Sequence, residues 1–275
     1  MTHSDTGDLY ALWRVPFGMS PAAGMLRKAF AEGIEIVSQQ HWVSGTFLGF
    51  DTETTGVDTS TDRIVTAAIV LRTPQETLVR TWLINPGVPI PEAAAAIHGV
   101  TTEHAVQFGA EPAVALEEIA SIITEHLQAD HPLVAFNASF DISIIETELA
   151  RNGLPTIEER LGHTFSPVID PLVLDRALDR YRKGSRKLGD LCEFYAVEET
   201  GTFHTADADV IATLDVMAKI LTKYNNVGSM TLKELHTYQE GAHSRWAKNF
   251  NSYLASRGKP ADVEEHWPMR SAQSA

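Results

Sequence analysis

The sequence predicts an α/β fold in which helices flank a mixed five-stranded sheet. Three short β-rich segments with turn residues between them follow one another over residues 46–87, and strand-like and helical segments alternate from residue 111 onward. The first pattern is typical of an antiparallel meander and the second of βαβ units, so three antiparallel strands should precede two parallel ones. With 275 residues, 44% of them hydrophobic, the chain is long enough for one large domain with a substantial core.

The first predicted elements follow in chain order. Strands are predicted over 46–53 ("TFLGFDTE"), 63–73 ("RIVTAAIVLRT") and 76–87 ("ETLVRTWLINPG"), where β-branched and aromatic residues are frequent. Residues 111–127 have the 3.6-residue period of a helix, and 132–137 ("PLVAFN") form a short apolar strand. These segments supply four of the five strands and the first helix that covers them.

Further helices and the fifth strand complete the predicted domain. Residues 140–153 ("FDISIIETELARNG") read as a helix closed by an Asn-Gly pair. A short strand beginning at Ser166 runs into another helix, and helices over 187–196 and 204–224 follow. We expect these helices to pack on the two faces of the sheet.

An N-terminal helical extension over 1–44 is predicted to precede the main domain, which spans 45–224. Ser20 and Pro21 are a typical N-cap and first helical position. Apolar residues then recur at helical spacing up to about residue 38. We therefore expect this helix to pack against another surface.

Residues 225–275 form a predicted C-terminal helical extension and tail. The segment "TLKE" at Thr231 is a capping box, and an amphipathic helix follows it. We expect this helix to lie outside the main unit. Trp246, Phe250 and Tyr253 would then face either the surface of the protein or a partner.

The composition predicts a cytoplasmic protein. The N-terminus lacks a basic segment followed by a long apolar stretch, and no window approaches a membrane span, so neither export nor membrane insertion is expected. A single cysteine, Cys192, excludes an internal disulfide framework, and its setting is typical of a buried thiol in a helix. A reducing compartment is consistent with both features.

The net charge of −14, from 22 basic and 36 acidic residues, argues against wholesale electrostatic binding to nucleic acid. One dense basic segment stands out against this background. It either contacts phosphates or forms an ordinary solvated helix and loop. Its members are Arg176, Arg180, Arg182, Lys183, Arg186 and Lys187.

Two acidic residues, Asp51 and Glu53, end the first predicted strand. Side chains two positions apart on a strand point to the same face and lie about 6.6 Å apart. At an effective dielectric constant of about 20, two unit charges at that distance repel by about 2.5 kcal/mol. Either both side chains extend into solvent or a cation offsets the repulsion.

Two later helices carry acids close to their apolar faces. Asp141 lies four residues before Ile145 and eight before Leu149, which places it on the apolar side of its helix, near the N-terminus. Asp209 lies beside the apolar stripe of the last long helix, and His204 stands at the entry to that helix. Asp141 is either a charge favoured by the helix dipole or a functional group.

The four acids would meet if the first strand lay between these two helices. Such a cluster of carboxylates needs cations, and clustered oxygen ligands suit Mg²⁺ or Mn²⁺ better than zinc. Two such ions stabilise the attacking and leaving oxygens when a phosphodiester is cleaved in line. The pattern therefore predicts a site with two metal ions for phosphodiester hydrolysis.

Three motifs strongly resemble those of DEDDh 3'-5' exonucleases: "DTETTG" (51–56), "NASFD" (137–141) and "HTADAD" (204–209). The segment "INPGVPIPEAAAAIHGVTTEH" (84–104) is similar to one in the epsilon proofreading subunit of bacterial DNA polymerase III. The resemblance covers about 46–224 and implies an RNase H-like fold with two divalent metal ions.

The resemblance also implies roles for the five matched residues. Asp51 would bridge both metal ions, Glu53 and Asp209 would complete one site, and Asp141 would serve the second, partly through water. His204 would be the general base that takes a proton from the attacking water. Thr205 stands where a related subgroup has tyrosine, which disfavours that subgroup.

Further residues are expected near the substrate. The resemblance implies contacts with the terminal nucleotide or a part in shaping its pocket for Thr52, Thr54, Thr55, Gly56, His98, Asn137 and Phe140. His98 is equally well explained as a loop residue and Asn137 as a turn-capping amide.

We expect a metal-dependent exonuclease that releases nucleoside 5'-monophosphates from a single-stranded 3' end of DNA, in proofreading or repair. An RNA exonuclease of the RNase T or oligoribonuclease type shares this chemistry and stays an alternative. A different class is an interaction module that docks on a DNA polymerase or repair complex through its helical extensions. The five intact site residues argue against an inactive module but not against docking.

Overall fold

The computed structural model describes residues 42–197 and 205–271. Its centre is a sheet in the order β3-β2-β1-β4-β5, in which β1, β2 and β3 pair antiparallel and β4 and β5 join β1 in parallel. This confirms the predicted mixed sheet. The strands are β1 (Phe47–Thr54), β2 (Ile64–Arg72), β3 (Thr77–Leu83), β4 (Leu133–Val134) and β5 (Val168–Ile169).

Ten α-helices belong to the described residues. Every helix that the sequence predicts within 42–197 and 205–271 is present. They are α1 (Glu92–His98), α2 (Thr102–Phe108), α3 (Pro112–Gln128), α4 (Ser139–Arg151), α5 (Ile157–Leu161), α6 (Pro171–Leu178), α7 (Leu188–Tyr195), α8 (Ala206–Lys223), α9 (Asn225–Gly228) and α10 (Leu232–Ser256).

The two faces of β1 belong to two separate apolar cores. Leu48 and Phe50 are buried in a core with residues of α3 and α4, whereas Phe47 packs in a core with residues of α8. Gly49 also faces α8, because a Cβ atom there would clash with Val210 and lie 3.0 Å from Leu214 Cδ1. The alternation along the strand therefore decides which helix each later side chain faces.

The parallel strands determine where the loops meet. Since β1, β4 and β5 run in the same direction, their carboxyl ends lie at one edge of the sheet. The chain leaves β4 into α4 and leaves β5 into α6, which begins with Pro171 after Asp170 as N-cap. Asp51 and Glu53 lie near the same edge, at the end of β1.

Helix α10 packs against the sheet, so the expectation that it lies outside the main unit is wrong. Gln239 is fully buried, its side-chain amide donates to the carbonyl of Val168 at 2.9 Å, and its carbonyl oxygen accepts from the Asp170 N–H at 2.7 Å. The side chain thus satisfies backbone groups on the outer edge of β5. Trp267, in the tail that follows α10, is also buried.

Two predictions fall on residues outside the described ranges: the helix near Ser20 and the position of His204.

Cys192 is a buried free thiol on α7, as expected. Thr231 caps α10 through a reciprocal capping box with Glu234, which the sequence also predicts. Within 42–197 and 205–271, no helix combines the length and the apolarity that crossing a membrane requires.

Candidate active site

Three carboxylates meet beside the end of β1. Asp51, Glu53 and Asp209 each offer an oxygen atom, and these atoms all lie within 4.8 Å of one another. Asp51 and Glu53 share the face of β1 that points to α8, and Asp209 lies in the first turn of α8. The close approach of α8 at Gly49 brings Asp209 to the strand acids.

Asp141 lies on the other side of β1, in the first turn of α4, and is outside this group of three. Its Oδ1 accepts two hydrogen bonds from Thr52, from the backbone N–H at 3.0 Å and from the hydroxyl at 2.7 Å. Asp141 is buried, as its position on the apolar side of the helix predicts. It is therefore tied to the strand between Asp51 and Glu53.

Burial and mutual repulsion raise the pKa values of these acids. Burial, followed by the charges of Asp141, Glu53 and Asp209, raises the pKa of Asp51 well above its ordinary value. Burial and the charge of Asp209 raise the pKa of Glu53 to about 7. Burial also raises the pKa of Asp141 to about 7, although the hydrogen bonds from Thr52 oppose the shift.

The chemistry of this cluster suits a divalent cation. All its donors are carboxylate oxygens, which Mg²⁺ and Mn²⁺ prefer. The repulsion that raises the pKa of Asp51 is the interaction that a bound cation would offset. The three grouped carboxylates thus fit a metal site, and Asp141 is close enough for its charge to act on Asp51.

A buried acid that the sequence analysis did not single out, Asp170, positions the loop before Asp141. Its carboxylate accepts hydrogen bonds from the backbone N–H groups of Asn137 at 3.1 Å and Ala138 at 3.0 Å, and from the indole N–H of Trp267 at 3.3 Å. The only local signal is its place before Pro171, which identifies an N-cap but not the contacts with distant residues.

The residues after β1 form a turn that Asp62 stabilises. The Thr55 hydroxyl donates to Asp62 Oδ1 at 2.7 Å, and a Cβ atom at Gly56 would lie only 2.5 Å from Asp62 Oδ2. The Thr54 hydroxyl donates to the carbonyl of Gly56 at 2.6 Å. Glycine at position 56 therefore allows this tight turn beside the carboxylates.

His98 lies at the end of α1 and lines a cavity of about 250 Å³ with Glu53, Thr205 and Asp207. Its Nδ1 accepts from the Val100 N–H at 3.2 Å, and the ring also interacts with the backbone of Thr54, which opposes the effect of burial on its pKa. Burial lowers the pKa of His98, which favours the neutral ring. The structure thus places His98 beside Glu53.

Asn137 and Phe140 lie on the loop and first turn that lead to Asp141. Asn137 is exposed and has a left-handed backbone conformation with φ of 61°, which asparagine tolerates better than most residues. Together with Asp51 and Asp209 it lines a cavity of about 520 Å³. The Phe140 ring lies 5.2 Å from the guanidinium carbon of Arg270, which the tail supplies.

The basic segment divides into three groups. Arg182 and Arg186 both pair with the buried carboxylate of Asp175, so they hold the loop after α6 in place. Arg176 lies over the Trp246 ring, with its guanidinium carbon 3.8 Å from the ring centroid. Arg180, Lys183 and Lys187 are exposed.

The general base implied by the resemblance, His204, lies outside the described ranges. Its neighbour Thr205 is the residue before α8 and lines the cavity that also contains Glu53 and His98.

Comparisons with known proteins agree with this geometry. A family model described as "Exonuclease" (RNase_T) matches residues 48–217. A PolC-type DNA polymerase III from Caldanaerobacter subterraneus subsp. tengcongensis is 29% identical over 225 residues, which is 80% of this chain and 15% of that protein. A DNA polymerase III subunit epsilon-like protein from Rhodobacter capsulatus is 30% identical over 220 residues, 75% of this chain and 28% of that protein. The chain thus spans 15 to 28% of the length of these relatives.

A solved structure has the same fold. The zinc-bound form of an E. coli exonuclease I complex with single-stranded DNA matches with a TM-score of 0.57 and 22% identity, over 78% of this chain and 45% of that chain. The family match includes all four acids on the described elements. From the motifs, the mixed sheet and these matches together, the chain belongs to the exonuclease family and is of the DEDD 3'-5' type.

Proposed function

We propose that this protein is a divalent-metal-dependent exonuclease that removes nucleotides from the 3' end of single-stranded DNA and releases nucleoside 5'-monophosphates. The observation that carries the proposal is the group of three carboxylates at the end of β1, with Asp141 tied to the same strand through Thr52. Ordinary core packing gives no reason to bring these charges together.

The carboxylates hold the cations in this proposal. Asp51, Glu53 and Asp209 supply oxygen ligands for one Mg²⁺ or Mn²⁺ ion, and Asp51 with Asp141 holds a second. When bound, two such ions stabilise the charges that develop on the attacking and leaving oxygens of the phosphodiester. The hydrogen bonds from Thr52 keep Asp141 in the orientation that this task requires.

His204 acts as the general base and takes the proton of the attacking water. Support for this role comes from the motif "HTADAD", in which His204 directly precedes Thr205, a residue that lines the cavity beside Glu53. The neutral ring that general-base action needs is the ordinary form of histidine above its pKa of about 6.5.

The terminal nucleotide binds between the turn after β1 and the loop after β4. Thr52, Thr54, Thr55 and Gly56 border one side of this position, and Asn137 and Phe140 the other. His98, which lines the cavity beside Glu53, contacts the sugar or the base in this proposal. Support for DNA comes from the relatives, which are named as DNA polymerase III proteins, and from the single-stranded DNA of the solved complex.

A degradation assay with purified protein tests the proposal. We expect 5'-labelled single-stranded DNA to shorten stepwise from its 3' end with Mg²⁺ or Mn²⁺ and to stay intact with EDTA. Asp51→Ala should lower the rate by about 10³-fold or more, because metal-ion stabilisation contributes several kcal/mol and each 1.36 kcal/mol is a factor of ten.

Glu76→Gln is the matched control, because Glu76 is exposed in the turn between β2 and β3, at the opposite end of the sheet. It should retain the wild-type rate. Nuclease activity that survives Asp51→Ala unchanged would refute the proposal. If RNA of the same sequence were shortened faster than the DNA, RNA and not DNA would be the preferred substrate.

A further inference from the structure

Three aromatic side chains form a row on the outer face of α10. Trp246, Phe250 and Tyr253 are four and three residues apart, so they lie on one side of the helix. The Trp246 and Phe250 rings are 5.6 Å apart with planes 17° from parallel, and the Phe250 and Tyr253 rings are 6.2 Å apart with planes 15° from parallel. Phe250 is 38% exposed and Tyr253 52% exposed. A stacked aromatic row thus faces solvent.

Trp246 contacts Arg176 of α6, but Phe250 and Tyr253 do not belong to the face that attaches α10 to the protein. Leu235, Gln239, Ala242, His243 and Ala247 are the buried residues of the helix. The row adds little to folding, because half-exposed rings leave much of their apolar area in water. Parallel exposed rings are typical of surfaces on which bases of a single strand stack.

A basic cleft borders the aromatic row. Arg176, Arg180 and Arg245 line a cavity of about 200 Å³ between α6 and α10, together with Trp246. Its other lining residues, among those the structure describes, are Ala177, Tyr238, Ala242 and Asn249, so no carboxylate contributes to it. In a chain with a net charge of −14, three arginines without an acid make an uncommon site for phosphate groups.

Two of these arginines are free to bind phosphate. Arg180 and Arg245 are exposed, and within the described ranges no carboxylate oxygen approaches either side chain within the 4.0 Å of an ion pair. Arg182 and Arg186 differ, because both pair with the single carboxylate of Asp175. Beside α10, Arg180 and Arg245 thus add positive charge available to a ligand to that of the exposed Lys183 and Lys187.

The cleft continues into the candidate active site. Arg176 lines both this cleft and the cavity that contains Asp51 and Asp209. A second cavity, of about 620 Å³, shares Arg176 and Trp246 with the cleft and adds Arg270, but Glu146, Asp262 and Glu264 also line it. Those three acids make it less favourable for phosphates than the acid-free cleft, which favours the α6 side of α10 as the path of a polyanion.

From this arrangement we infer that α10 holds the single strand upstream of the nucleotides in the active site. Bases stack on Phe250 and Tyr253, and phosphates bind Arg180 and Arg245. This inference rests on the proposed function for the identity of the strand. The surface on α10 allows an acidic protein to bind a polyanion locally. Binding then depends on strand length, because only a long strand reaches from the carboxylates to the aromatic row.

Binding without metal tests the inference separately from catalysis. Fluorescence anisotropy with EDTA would compare 5'-labelled dT20 and dT4 on wild-type protein and on the double variant Phe250→Ser/Tyr253→Ser. We expect the double variant to bind dT20 about 30-fold more weakly or worse, because it loses base stacking on two aromatic side chains. Binding of dT4 should not change.

Phe108→Ser is the matched control, because Phe108 is 62% exposed on α2, outside the proposed path. It should bind dT20 as the wild type does. Melting curves of all variants establish that they are folded. Equal affinity of the wild type and the double variant for dT20 would overturn the inference, as would equal weakening for dT20 and dT4.

Salt dependence tests the arginines. Arg180→Gln/Arg245→Gln should reduce the slope of log K against log salt for dT20 by about 1.4, since each contact with a single-strand phosphate contributes about 0.7. Lys219→Gln, an exposed charge on α8, should leave the slope unchanged. An unchanged slope in the arginine variant would also overturn the inference.

Hydrolysis of dT4 separates the two proposals. If the wild type degrades dT4 and the α10 variants do so equally fast while losing affinity for dT20, both proposals hold. If the wild type degrades no strand yet binds dT20 through α10, the proposed function fails and the strand-binding surface remains. If hydrolysis is normal and α10 variants bind dT20 normally, only the surface fails.

Discussion

The two sides of β1 hold their acids in opposite ways. On the α8 side, Asp51, Glu53 and Asp209 have oxygens within 4.8 Å, and their mutual repulsion contributes to the raised pKa of Asp51. On the α4 side, Asp141 accepts two hydrogen bonds from Thr52. The α4 loop is in turn fixed by Asp170.

One site therefore combines carboxylates that packing holds together against their repulsion with a carboxylate that hydrogen bonds orient. Packing around Gly49 brings the α8-side acids together against their charges, a repulsion that a bound cation would offset. On the α4 side, hydrogen bonds orient Asp141 before any ligand binds. Such preorganisation is what catalytic groups require, because small displacements of reacting groups are costly.

The largest effect should follow from breaking the packing on the α8 side with Gly49→Ala. The added methyl group would clash with Val210 and crowd Leu214, so α8 must shift and carry Asp209 away from β1. We expect a loss of about 1–3 kcal/mol in the free energy of unfolding and a loss of about 10²-fold in nuclease rate. Chemical denaturation and rate measurements would check both values.

The matched control is Gly189→Ala, because a Cβ atom at that position meets no atom within 4 Å. It should change neither stability nor rate appreciably. If Gly49→Ala kept a wild-type increase in melting temperature with Mn²⁺, the close approach of α8 would not be what assembles the metal site.

A smaller effect is expected on the α4 side from Thr52→Val, which removes the hydroxyl donor to Asp141 and leaves the backbone donor. Because hydrogen bonds to the carboxylate lower its pKa, the pKa of Asp141 should rise further. A hydrogen bond of this kind contributes about 0.5–1.5 kcal/mol or somewhat more, so the rate at pH 7 should fall about three- to tenfold.

The pH profile of the rate distinguishes the cause. The deficit of Thr52→Val should shrink as the pH rises and Asp141 becomes ionised; a deficit that is equal at all pH values would contradict the assigned role of the hydroxyl. Thr124→Val is the control, because the buried Thr124 hydroxyl has no hydrogen-bond partner among the described residues.

The smallest expected effect concerns the stability of the metal-free protein. The pKa values of Glu53 and Asp141 are raised to about 7 in the folded state, so the folded protein binds more protons than the unfolded chain between about pH 4 and pH 7. The free energy of unfolding in EDTA should therefore fall as the pH rises through this window. Mn²⁺ should raise the melting temperature more at pH 8 than at pH 5.

Asp51→Asn separates the contribution of the clustered acids to the pH dependence of stability from that of other titrating groups. His126, whose pKa burial lowers to about 4, acts in the opposite sense but is common to both proteins. At pH 8 in EDTA the variant should melt about 2–4 °C above the wild type, which corresponds to roughly 1 kcal/mol of relieved repulsion. A variant that melts at the wild-type temperature at pH 8 would show that the acids do not repel each other.

Local sequence patterns predicted the strands and the longer helices, but they missed two short helices and the packing of α10. The position of Asp141 on an apolar helical face predicted its burial, and "TLKE" predicted the start of α10. The short helices α1 and α2 were missed, because seven residues are too few for a clear period. The packing of α10 was missed, because Gln239 is polar and its partners at β5 are about 70 positions earlier.

Periodicity and motif spacing, which are local properties of the chain, specify the strands, the longer helices, the faces on which the acids lie and the family. Packing between distant segments decides that Asp209 joins the two strand acids and that Asp141 accepts hydrogen bonds from Thr52. It also decides that the indole N–H of Trp267, in the tail, donates to Asp170. The physical reason is that distances between elements depend on how closely they pack. At Gly49 that distance depends on the absence of a single side chain.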